Sequence, residues 1–215
     1  TVVYKKLPKE QISSVNSVFE IDETDKIVSH ELFQDNGKEI YNMSTDIFVV
    51  DTPYLIEKLE EEAAKEEPRK LRYVLRDLAA AEGGFAYEYT GYLSNIHSVK
   101  SYFDANLDML DTQKFYSLFA PNQKVYTKVK NEEPTYYSNS SDVKRSQFAS
   151  GSIVRGHVED SVVSRNVDLQ EGSSVTHSVV FPRVEIGKNA TVDYAILDKG
   201  VTIADGVTIR GTENN

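Results

Sequence analysis

Three consecutive rows of 17 residues determine the predicted fold: VEDSVVSRNVDLQEGSS at 158–174, VTHSVVFPRVEIGKNAT at 175–191 and VDYAILDKGVTIADGVT at 192–208. Aliphatic residues recur at this step in four series, which are Val158, Val175, Val192 and Ile209; Val163, Val180 and Leu197; Val167, Val184 and Val201; and Leu169, Ile186 and Ile203. A fixed step shared by several series is typical of a repeat architecture. An irregular β-sandwich would not keep it constant.

Within each row, the aliphatic residues are separated by short stretches containing Gly, Asn, Asp or Ser. This is the pattern of a coil made of short strands, each directing an aliphatic side chain inward. Glycine and asparagine tolerate the left-handed backbone that tight corners require. Residues 146–211 are therefore predicted to form a left-handed parallel β-helix of hexapeptide repeats.

Residues 1–112 have a different pattern, in which strand-like and helix-like segments alternate. Thr52-Pro53 is typical of a helix start, and Gly83-Gly84 is typical of a helix end. Apolar residues at helical spacing predict a further helix over 99–107. This alternation favours an α/β domain over 1–112. The weakly periodic segment 113–145, rich in Asn, Ser and Pro, is predicted to be a connector.

Composition excludes several classes of function. The chain has 34 acidic and 24 basic residues, which gives a net charge of −10. This balance argues against a general nucleic-acid binder, because such binding depends on Lys and Arg replacing phosphate counterions. The chain has no cysteine, so disulfides and thiolate metal sites are excluded. No apolar run is long enough to span a membrane. We expect a cytoplasmic protein that binds neither nucleic acid nor membrane.

The order of three motifs resembles the C-terminal part of bacterial glucose-1-phosphate adenylyltransferase (ADP-glucose pyrophosphorylase). Residues 43–55, MSTDIFVVDTPYL, are similar to that family's S-M-G-I-Y-V-F-D…Y-L segment. Residues 98–108, SVKSYFDANLD, are similar to T-L-E-A-Y-W-x-A-N-L-D, and residues 150–156, SGSIVRG, are similar to its first β-helix coil. The resemblance implies that 1–112 is part of a Rossmann-like nucleotidyltransferase domain. It also places Ser44 in a substrate-binding segment.

Two departures from the family's motifs concern its catalytic residues. Where active members have Glu-Lys-Pro, with the lysine on the sugar phosphate, this chain has Leu32, Phe33 and Gln34. Where they have W-x-D-V-G-T, with an aspartate that helps hold Mg²⁺, it has Asn95 followed by Ile96 and His97. Phe33 cannot provide a cation for phosphate, and asparagine lacks the charge that a hard cation favours. We therefore expect no catalytic residue, metal or cofactor in this chain, although the family's reaction uses Mg²⁺.

The resemblance therefore implies a catalytically degenerate, regulatory or assembly subunit of an enzyme that makes ADP-glucose and pyrophosphate from ATP and glucose 1-phosphate in glycogen biosynthesis. Its partner would be the catalytic subunit, in a heterotetramer or another oligomer. Lys199 lies in a segment, Ile196 to Lys199, that is similar to the family's V-I-D-R, where the basic residue contacts an anionic effector. Lys199 is therefore the candidate for binding a sugar-phosphate effector. Arg165 and Arg183 are candidates for the same face.

Two other functions remain open from the sequence. One is a truncated catalytic subunit of the same enzyme. The other is a hexapeptide-repeat acyltransferase, in which a histidine between coils acts as the general base. His157 and His177 lie in the repeat and are the candidates for that role. A histidine in a solvated corner, with no catalytic role, is the simpler interpretation of both.

Overall fold

The computed structural model describes residues 1–81, 83–122 and 124–213 of the chain. These form two compact units, Thr1–Asn95 and Ile96–Asn215. The first is an α/β unit and the second contains a parallel β-helix, so the predicted fold class is confirmed. Over the described residues, no helix has the length and apolar character needed to cross a membrane.

The first unit is built on one mixed five-stranded sheet. Its elements are β1 (Val2–Pro8), β2 (Ser17–Ile21), β3 (Ile27–Leu32), β4 (Ile40–Phe48), α1 (Thr52–Ala63), α2 (Leu71–Ala81) and β5 (Ala86–Glu88), with a 3-10 turn at Lys9–Gln11. The strand order is β3-β2-β4-β1-β5. Only β1 and β5 run parallel, and the other pairs are antiparallel.

Both faces of this sheet carry an apolar cluster. One cluster is made by Val2, Tyr4, Phe19 and Ile27, against which Ala79 and Ala80 of α2 pack. The other cluster is made by Leu7, Ile12, Tyr41 and Met43, against which Val18, Phe33 and Leu93 pack. The side chains of a strand alternate between faces, so one sheet can support two clusters.

Helix α1 begins one residue earlier in its capping than the sequence predicts. Asp51, rather than Thr52, is the N-cap, because its carboxylate accepts a hydrogen bond from the Tyr54 backbone N–H at 3.1 Å. Thr52 and Pro53 are then the first two helical residues. Both positions tolerate residues that lack a free N–H, since the first-turn amides have no partner within the helix.

The second unit begins with helices and continues as the β-helix. Its helices are α3 (Val99–Leu107) and α4 (Thr112–Leu118), with a 3-10 turn at Asp108–Leu110 between them. Ser98 and Ser101 form a capping box at the start of α3. The Tyr102 ring of α3 packs edge-on against Phe181, at 6.2 Å between ring centroids. Helix α3 thus belongs with the β-helix, and the first unit ends at Asn95 rather than at residue 112.

The β-helix consists of three parallel sheets whose strands repeat in turn. The strands are β6 (Tyr136–Tyr137), β7 (Asp142–Lys144), β8 (Gln147–Phe148), β9 (Ile153–Val154), β10 (His157–Glu159), β11 (Val162–Val163), β12 (Asp168–Leu169), β13 (Ser174–Thr176), β14 (Val179–Val180), β15 (Glu185–Ile186), β16 (Thr191–Asp193), β17 (Ile196–Leu197), β18 (Thr202–Ile203) and β19 (Thr208–Arg210). The sheets are β6-β9-β12-β15-β18, β7-β10-β13-β16-β19 and β8-β11-β14-β17.

The strand register confirms the 17-residue step. Val158 pairs with Val175, Val175 with Val192, and Val192 with Ile209. The first three of these side chains are fully buried, and they lie in one continuous core with the other inward residues. Each coil therefore buries its aliphatic residues against the coils before and after it, as repeat folds do.

The β-helix starts earlier than the predicted residue 146. Strands β6 and β7, in the segment predicted to be a connector, already pair with β9 and β10. The sequence hides this coil because the step is shorter here: His157 pairs with Asp142, 15 residues earlier. The shortening lies between β9 and β10, where only Arg155 and Gly156 form the corner, whereas residues 170–173 form the equivalent corner one coil later.

A ladder of buried hydroxyls stabilises the corners that lead into the β8-β11-β14-β17 sheet. Ser161 and Ser178 occupy equivalent positions in successive coils and are fully buried. The Ser178 backbone N–H donates to Ser161 Oγ at 3.0 Å, and the Ala195 N–H donates to Ser178 Oγ at 3.1 Å. The Ser178 hydroxyl in turn donates to the Thr176 carbonyl at 2.7 Å. The ladder thus provides partners for backbone groups that water cannot reach.

Replacing Ser178 with alanine is expected to reduce the free energy of unfolding of the second unit by about 1–2 kcal/mol, because the buried Ala195 N–H loses its acceptor. Chemical denaturation of the wild type and the variant measures the difference. The matched control is Ser174→Ala, on the outer side of β13, for which we expect a change below about 0.5 kcal/mol. Equal losses in the two variants would contradict the ladder's role.

Candidate functional site

The segment Leu32-Phe33-Gln34 lies at the end of β3, and its central side chain serves as an apolar packing residue. Phe33 packs against the cluster of Leu7, Ile12, Tyr41 and Met43. Its ring meets the Tyr41 ring edge-on, with 5.0 Å between centroids and 88° between planes. Leu32 and Gln34 on either side are exposed. Phe33 therefore contributes apolar contact at this position.

Asn95 is held close to the same segment through Asn16. Its amide nitrogen donates to the Gln11 carbonyl at 2.8 Å and to Asn16 Oδ1 at 2.9 Å. The Phe33 backbone N–H donates to the Asn16 carbonyl at 2.9 Å. The two sequence positions that depart from the family's catalytic motifs thus meet at one residue. Because Asn95 uses both amide hydrogens, its role here is that of a donor, which a carboxylate cannot fill.

The nearest charged groups to this site are already paired. Tyr41 donates its hydroxyl hydrogen toward Asp35 Oδ1, at 3.1 Å, and toward Asn36 Oδ1, at 2.8 Å. Lys9 forms an ion pair with Asp35, at 3.2 Å between Nζ and Oδ2. The Gly37 backbone N–H, Lys9 and Tyr41 together lower the pKa of Asp35 below its ordinary value. Lys9 therefore neutralises a carboxylate on its own surface.

We expect Asn95→Asp to destabilise the first unit by about 2 kcal/mol, because the new carboxylate would face two acceptor oxygens. Asn16 cannot compensate by rotating its amide without a cost, since its Oδ1 also accepts from the Ser13 N–H at 2.9 Å. Denaturation curves measure the loss. The control is Asn36→Asp, because Asn36 uses only its acceptor oxygen, toward Tyr41 and the Lys38 N–H. A neutral or stabilising effect of Asn95→Asp would contradict the donor role.

Ser44 lies on the other face of the sheet from this site. It is buried in β4, directly opposite Tyr4 of β1. Its neighbour Met43 belongs to the cluster that Phe33 contacts, and successive residues of a strand point to opposite faces. The Ser44 hydroxyl accepts from the Asp46 N–H at 3.3 Å. The structure therefore does not bring Ser44 together with Phe33 and Asn95.

The remaining predicted site residues lie in the second unit. His97 is exposed just before α3, and its backbone N–H donates to Ser101 Oγ at 2.9 Å. Lys199 is exposed at the corner between β17 and β18, where its N–H donates to the Asp198 carboxylate at 2.7 Å. Arg165 and Arg183 occupy the same corner in preceding coils, and the Arg183 N–H donates to the Arg165 carbonyl at 3.1 Å. This corner therefore presents three basic side chains on successive coils.

Glu132 lies beside this basic corner and partly balances its charge. Its Oε1 is 3.6 Å from Arg165 Nε and accepts from the Asn166 amide at 3.4 Å. Lys199 and Arg183 project into solvent on the later coils. An anion approaching the corner would meet these two cations more readily than Arg165.

Both repeat histidines lie between carboxylates. His157 Nδ1 is 2.9 Å from Asp142 Oδ2, and its Nε2 is 3.5 Å from Glu159 Oε2. His177 Nδ1 is 3.3 Å from Asp193 Oδ1, and its Nε2 is 3.5 Å from Asp160 Oδ2. A general base needs one nitrogen directed at the substrate's proton. In each histidine, both nitrogens instead face an acidic side chain of the same surface.

One residue of the acidic run 57–67 differs from the solvated face that such runs usually form. Glu62 is buried, and its carboxylate accepts from Arg69 Nε at 2.9 Å and Nη2 at 3.0 Å, and from Lys65 at 2.5 Å. The Arg69 guanidinium, Lys65 and the Arg69 backbone hold the pKa of Glu62 far below its ordinary value. The sequence signal was available only in part, because Arg69 lies beyond Pro68, outside the helix that carries Glu62.

No three His, Cys, Asp or Glu side chains come together as a metal-binding group within the part of the chain that the structure describes. The acidic and histidine side chains of the β-helix are instead arranged in pairs along its outer surface. What the chain offers chemically is a packed, uncharged centre around Phe33 and Asn95 in the first unit, and a basic corner at Lys199 in the second.

Comparison with known proteins agrees with the repeat and adds an enzyme family. Residues 129–215 match the family described as GlmU-like, C-terminal hexapeptide. Over 129 residues, 60% of its length, the chain is 37% identical to the glucose-1-phosphate adenylyltransferase of Bacillus cytotoxicus. The corresponding enzymes of Bacillus mycoides and Bacillus anthracis are 36% and 35% identical over the same length. The matched region spans 34% of each relative. This chain thus has a hexapeptide-repeat domain and is similar, over about a third of their length, to glucose-1-phosphate adenylyltransferases.

Proposed function

We propose that this chain is a regulatory or assembly subunit of a glucose-1-phosphate adenylyltransferase and does not itself catalyse adenylyl transfer. The similarity to enzymes of that name supports the family. The single observation that supports the non-catalytic role is the centre around Asn16, where Phe33 packs on Tyr41 and Asn95 donates both amide hydrogens. Neither side chain offers the charge that binding a phosphate and its Mg²⁺ requires.

The proposal includes a partner, a location and an effector. The partner is a catalytic subunit, in a heterotetramer or a related oligomer, which acts in cytoplasmic glycogen synthesis. Lys199 and Arg183 are the side chains proposed to meet an anionic sugar-phosphate effector, because they project from the same corner on successive coils. A lysine provides a point charge without the fork of a guanidinium, so Arg183 would supply the bidentate contact.

A co-purification and rate assay tests the proposal. The full-length polypeptide carrying this chain is co-expressed with the Bacillus cytotoxicus enzyme, and the complex is isolated through a tag on the polypeptide. The rate of ADP-glucose formation per catalytic subunit is then measured with and without sugar phosphates. We expect no turnover by the polypeptide alone and a changed velocity or KM in the complex. The effector response is expected to fall in Lys199→Ala.

Other outcomes of this assay would overturn the proposal in distinct ways. ADP-glucose formation by the polypeptide alone would favour a truncated catalytic subunit, with which the similarity is equally consistent. Neither co-purification nor a change in rate would exclude the assembly role. Turnover of acetyl-CoA that is lost in His157→Ala or His177→Ala would favour a hexapeptide acyltransferase instead.

A further inference from the structure

A column of side chains runs along one edge of the β-helix. Arg145, Asp160, His177 and Tyr194 stand at equivalent corners of four successive coils, and all four have a positive φ, between 39° and 49°. Arg145 Nε donates to Asp160 Oδ1 at 2.6 Å, and His177 Nε2 lies 3.5 Å from Asp160 Oδ2. The His177 and Tyr194 rings are stacked, with 4.5 Å between centroids and 4° between planes. Each side chain therefore rests on the one from the preceding coil.

The column ends at a glycine. Asp193 pairs with Arg210 in the next coil, so Gly211 occupies the position that follows Tyr194. Glycine contributes no side chain to the column. His177 covers one face of the Tyr194 ring, and the opposite face is directed toward the Gly211 coil. The spacing of coils in a parallel sheet, about 4.8 Å, is also a suitable distance for stacking another ring on that face.

A cavity lies at this position. It has a volume of about 320 Å³ and is lined by Tyr194 and Ile196 of the β-helix, by Val99 and Phe103 of α3, and by Glu213. The volume falls at the lower end of the range found for small-molecule sites. Its walls are aliphatic and aromatic, which suits a ring, and the Glu213 carboxylate provides a hydrogen-bond acceptor.

The charges around the cavity restrict the class of ligand. Lys100 also lines it, but its ammonium group is held by Asp104, with 2.8 Å between Nζ and Oδ2. The cavity therefore has a paired cation and an acidic side chain, and an anion would gain little there. A ring with an N–H or O–H donor could stack on Tyr194 and donate to Glu213.

From this geometry we infer that the cavity beside α3 binds a small, planar aromatic molecule, uncharged or cationic, which stacks on Tyr194 as the next member of the column. The inference does not depend on the proposed enzyme family. It assigns to Gly211 the role of leaving the stacking position open, and to Val99 and Phe103 the role of enclosing the ring from the side.

The experiment compares a planar probe with its puckered analogue. The ¹⁵N-labelled full chain is titrated with 2-naphthol and, separately, with decahydro-2-naphthol, while backbone amide shifts are recorded. We expect 2-naphthol to shift the amides of Gly211, Thr212 and Phe103 with a Kd on the order of 1 mM. We expect the decahydro compound, which has the same carbon skeleton and hydroxyl, to bind about tenfold more weakly because it cannot stack.

Two variants connect the binding to the cavity. Tyr194→Asn removes the ring while keeping a residue that tolerates positive φ, and we expect it to weaken 2-naphthol binding about tenfold. Arg183→Asn is the matched control, since Arg183 also has a positive φ, of 61°, at a different corner. Val99→Trp fills the cavity from an exposed position of α3 and is expected to abolish binding without affecting the core.

Equal affinity for the two probes, or wild-type affinity in Tyr194→Asn, would overturn the inference. So would 2-naphthol shifts that are absent from Gly211 and Thr212. Shifts of these amides that depend on protein concentration, without any response to 2-naphthol, would assign the cavity to a second copy of the chain instead. Retained binding in Val99→Trp would place the probe elsewhere and would also overturn the inference.

Discussion

Lowering the pH from 7 to 4 is expected to reduce the free energy of unfolding of the first unit by about 2–3 kcal/mol through His30 alone, and His30→Leu is expected to remove this part of the acid sensitivity. His30 is buried in β3, where its ring meets the Phe19 ring edge-on at 5.4 Å and lies 6.4 Å from the Phe48 ring. Neither ring nitrogen makes a hydrogen bond of normal geometry.

Burial lowers the pKa of His30 from 6.5 to about 4, because the charged imidazolium would lose its hydration among aromatic rings. The positive charge of Arg76 adds to the lowering, while the Arg76 backbone and the charge of Asp77 oppose it weakly. The folded state therefore holds a neutral histidine over a pH range in which the unfolded chain has already bound a proton.

The direction of the pH effect follows from these two values. Between pH 6.5 and about 4, the unfolded state binds more protons at this site than the folded state does, so stability falls as the pH falls. Above pH 6.5 both states are neutral at His30, and below about 4 both are protonated, so the site contributes no slope there. The full difference between the pKa values would give slightly more than our figure, which allows for partial hydration of the ring.

Hydrogen exchange of the β2 and β3 amides at several pH values measures the stability of this unit by itself, and an NMR titration of the imidazole gives its pKa directly. In His30→Leu, the exchange-derived stability is expected to vary less between pH 7 and 4 by the stated amount. Ser29→Ala, on the same strand, is the control and should keep the wild-type pH dependence. An imidazole pKa near 6.5 in the folded protein would contradict the prediction.

The β-helix was predictable from sequence because its inward residues must be aliphatic in every coil. The series through Val158 and the series through Val163 each occupy one strand position of the coil, and the register confirms both. A second signal was present in the same rows but carried no prediction. Val162, Val179 and Ile196 are aliphatic on the outward side of their strands, and α3 contacts β14 in this sheet. An apolar residue on both sides of a strand indicates that both sides are covered.

The centre around Asn16 could not be predicted in the same way. Phe33 and Asn95 are distant in sequence, and neither belongs to a repeat or a helical face that would place them together. Their contact depends on where the backbone of residue 16 lies after β1 and β2 have paired within the sheet. The sequence indicated that two charges were missing, while the structure identifies what the replacements do: one packs and the other donates.

The start of the β-helix was missed for a more specific reason, which is the two-residue corner at Arg155 and Gly156. A fixed step of 17 residues finds Val154 and Val158 from the later coils, but fails before them because the coil is shorter. The short corner brings its backbone close to the next coil. A Cβ on Gly156 would fall well inside contact distance of the Ser173 carbonyl oxygen and hydroxyl.

Gly156→Ala is therefore expected to destabilise the second unit by about 3 kcal/mol, since the obstructing atom belongs to the backbone and cannot rotate away. The Ser173 carbonyl also accepts the His157 N–H at 2.8 Å, so any shift that relieves the overlap weakens a bond between coils. Denaturation of the variant, followed by hydrogen exchange of the β10 and β13 amides, measures the loss and shows whether it is concentrated at this corner.

The matched control is Gly200→Asn, in which a glycine at another corner of the β-helix is replaced. Gly200 has a φ of 67° and open space around its Cβ position, and asparagine tolerates that conformation. We expect a change below about 1 kcal/mol there. If Gly156→Ala proved as mild as Gly200→Asn, the short corner would not be the close-packed point of the β-helix. A severe loss at Gly156 alone would show that the irregular coil depends on a glycine that the 17-residue repeat does not contain.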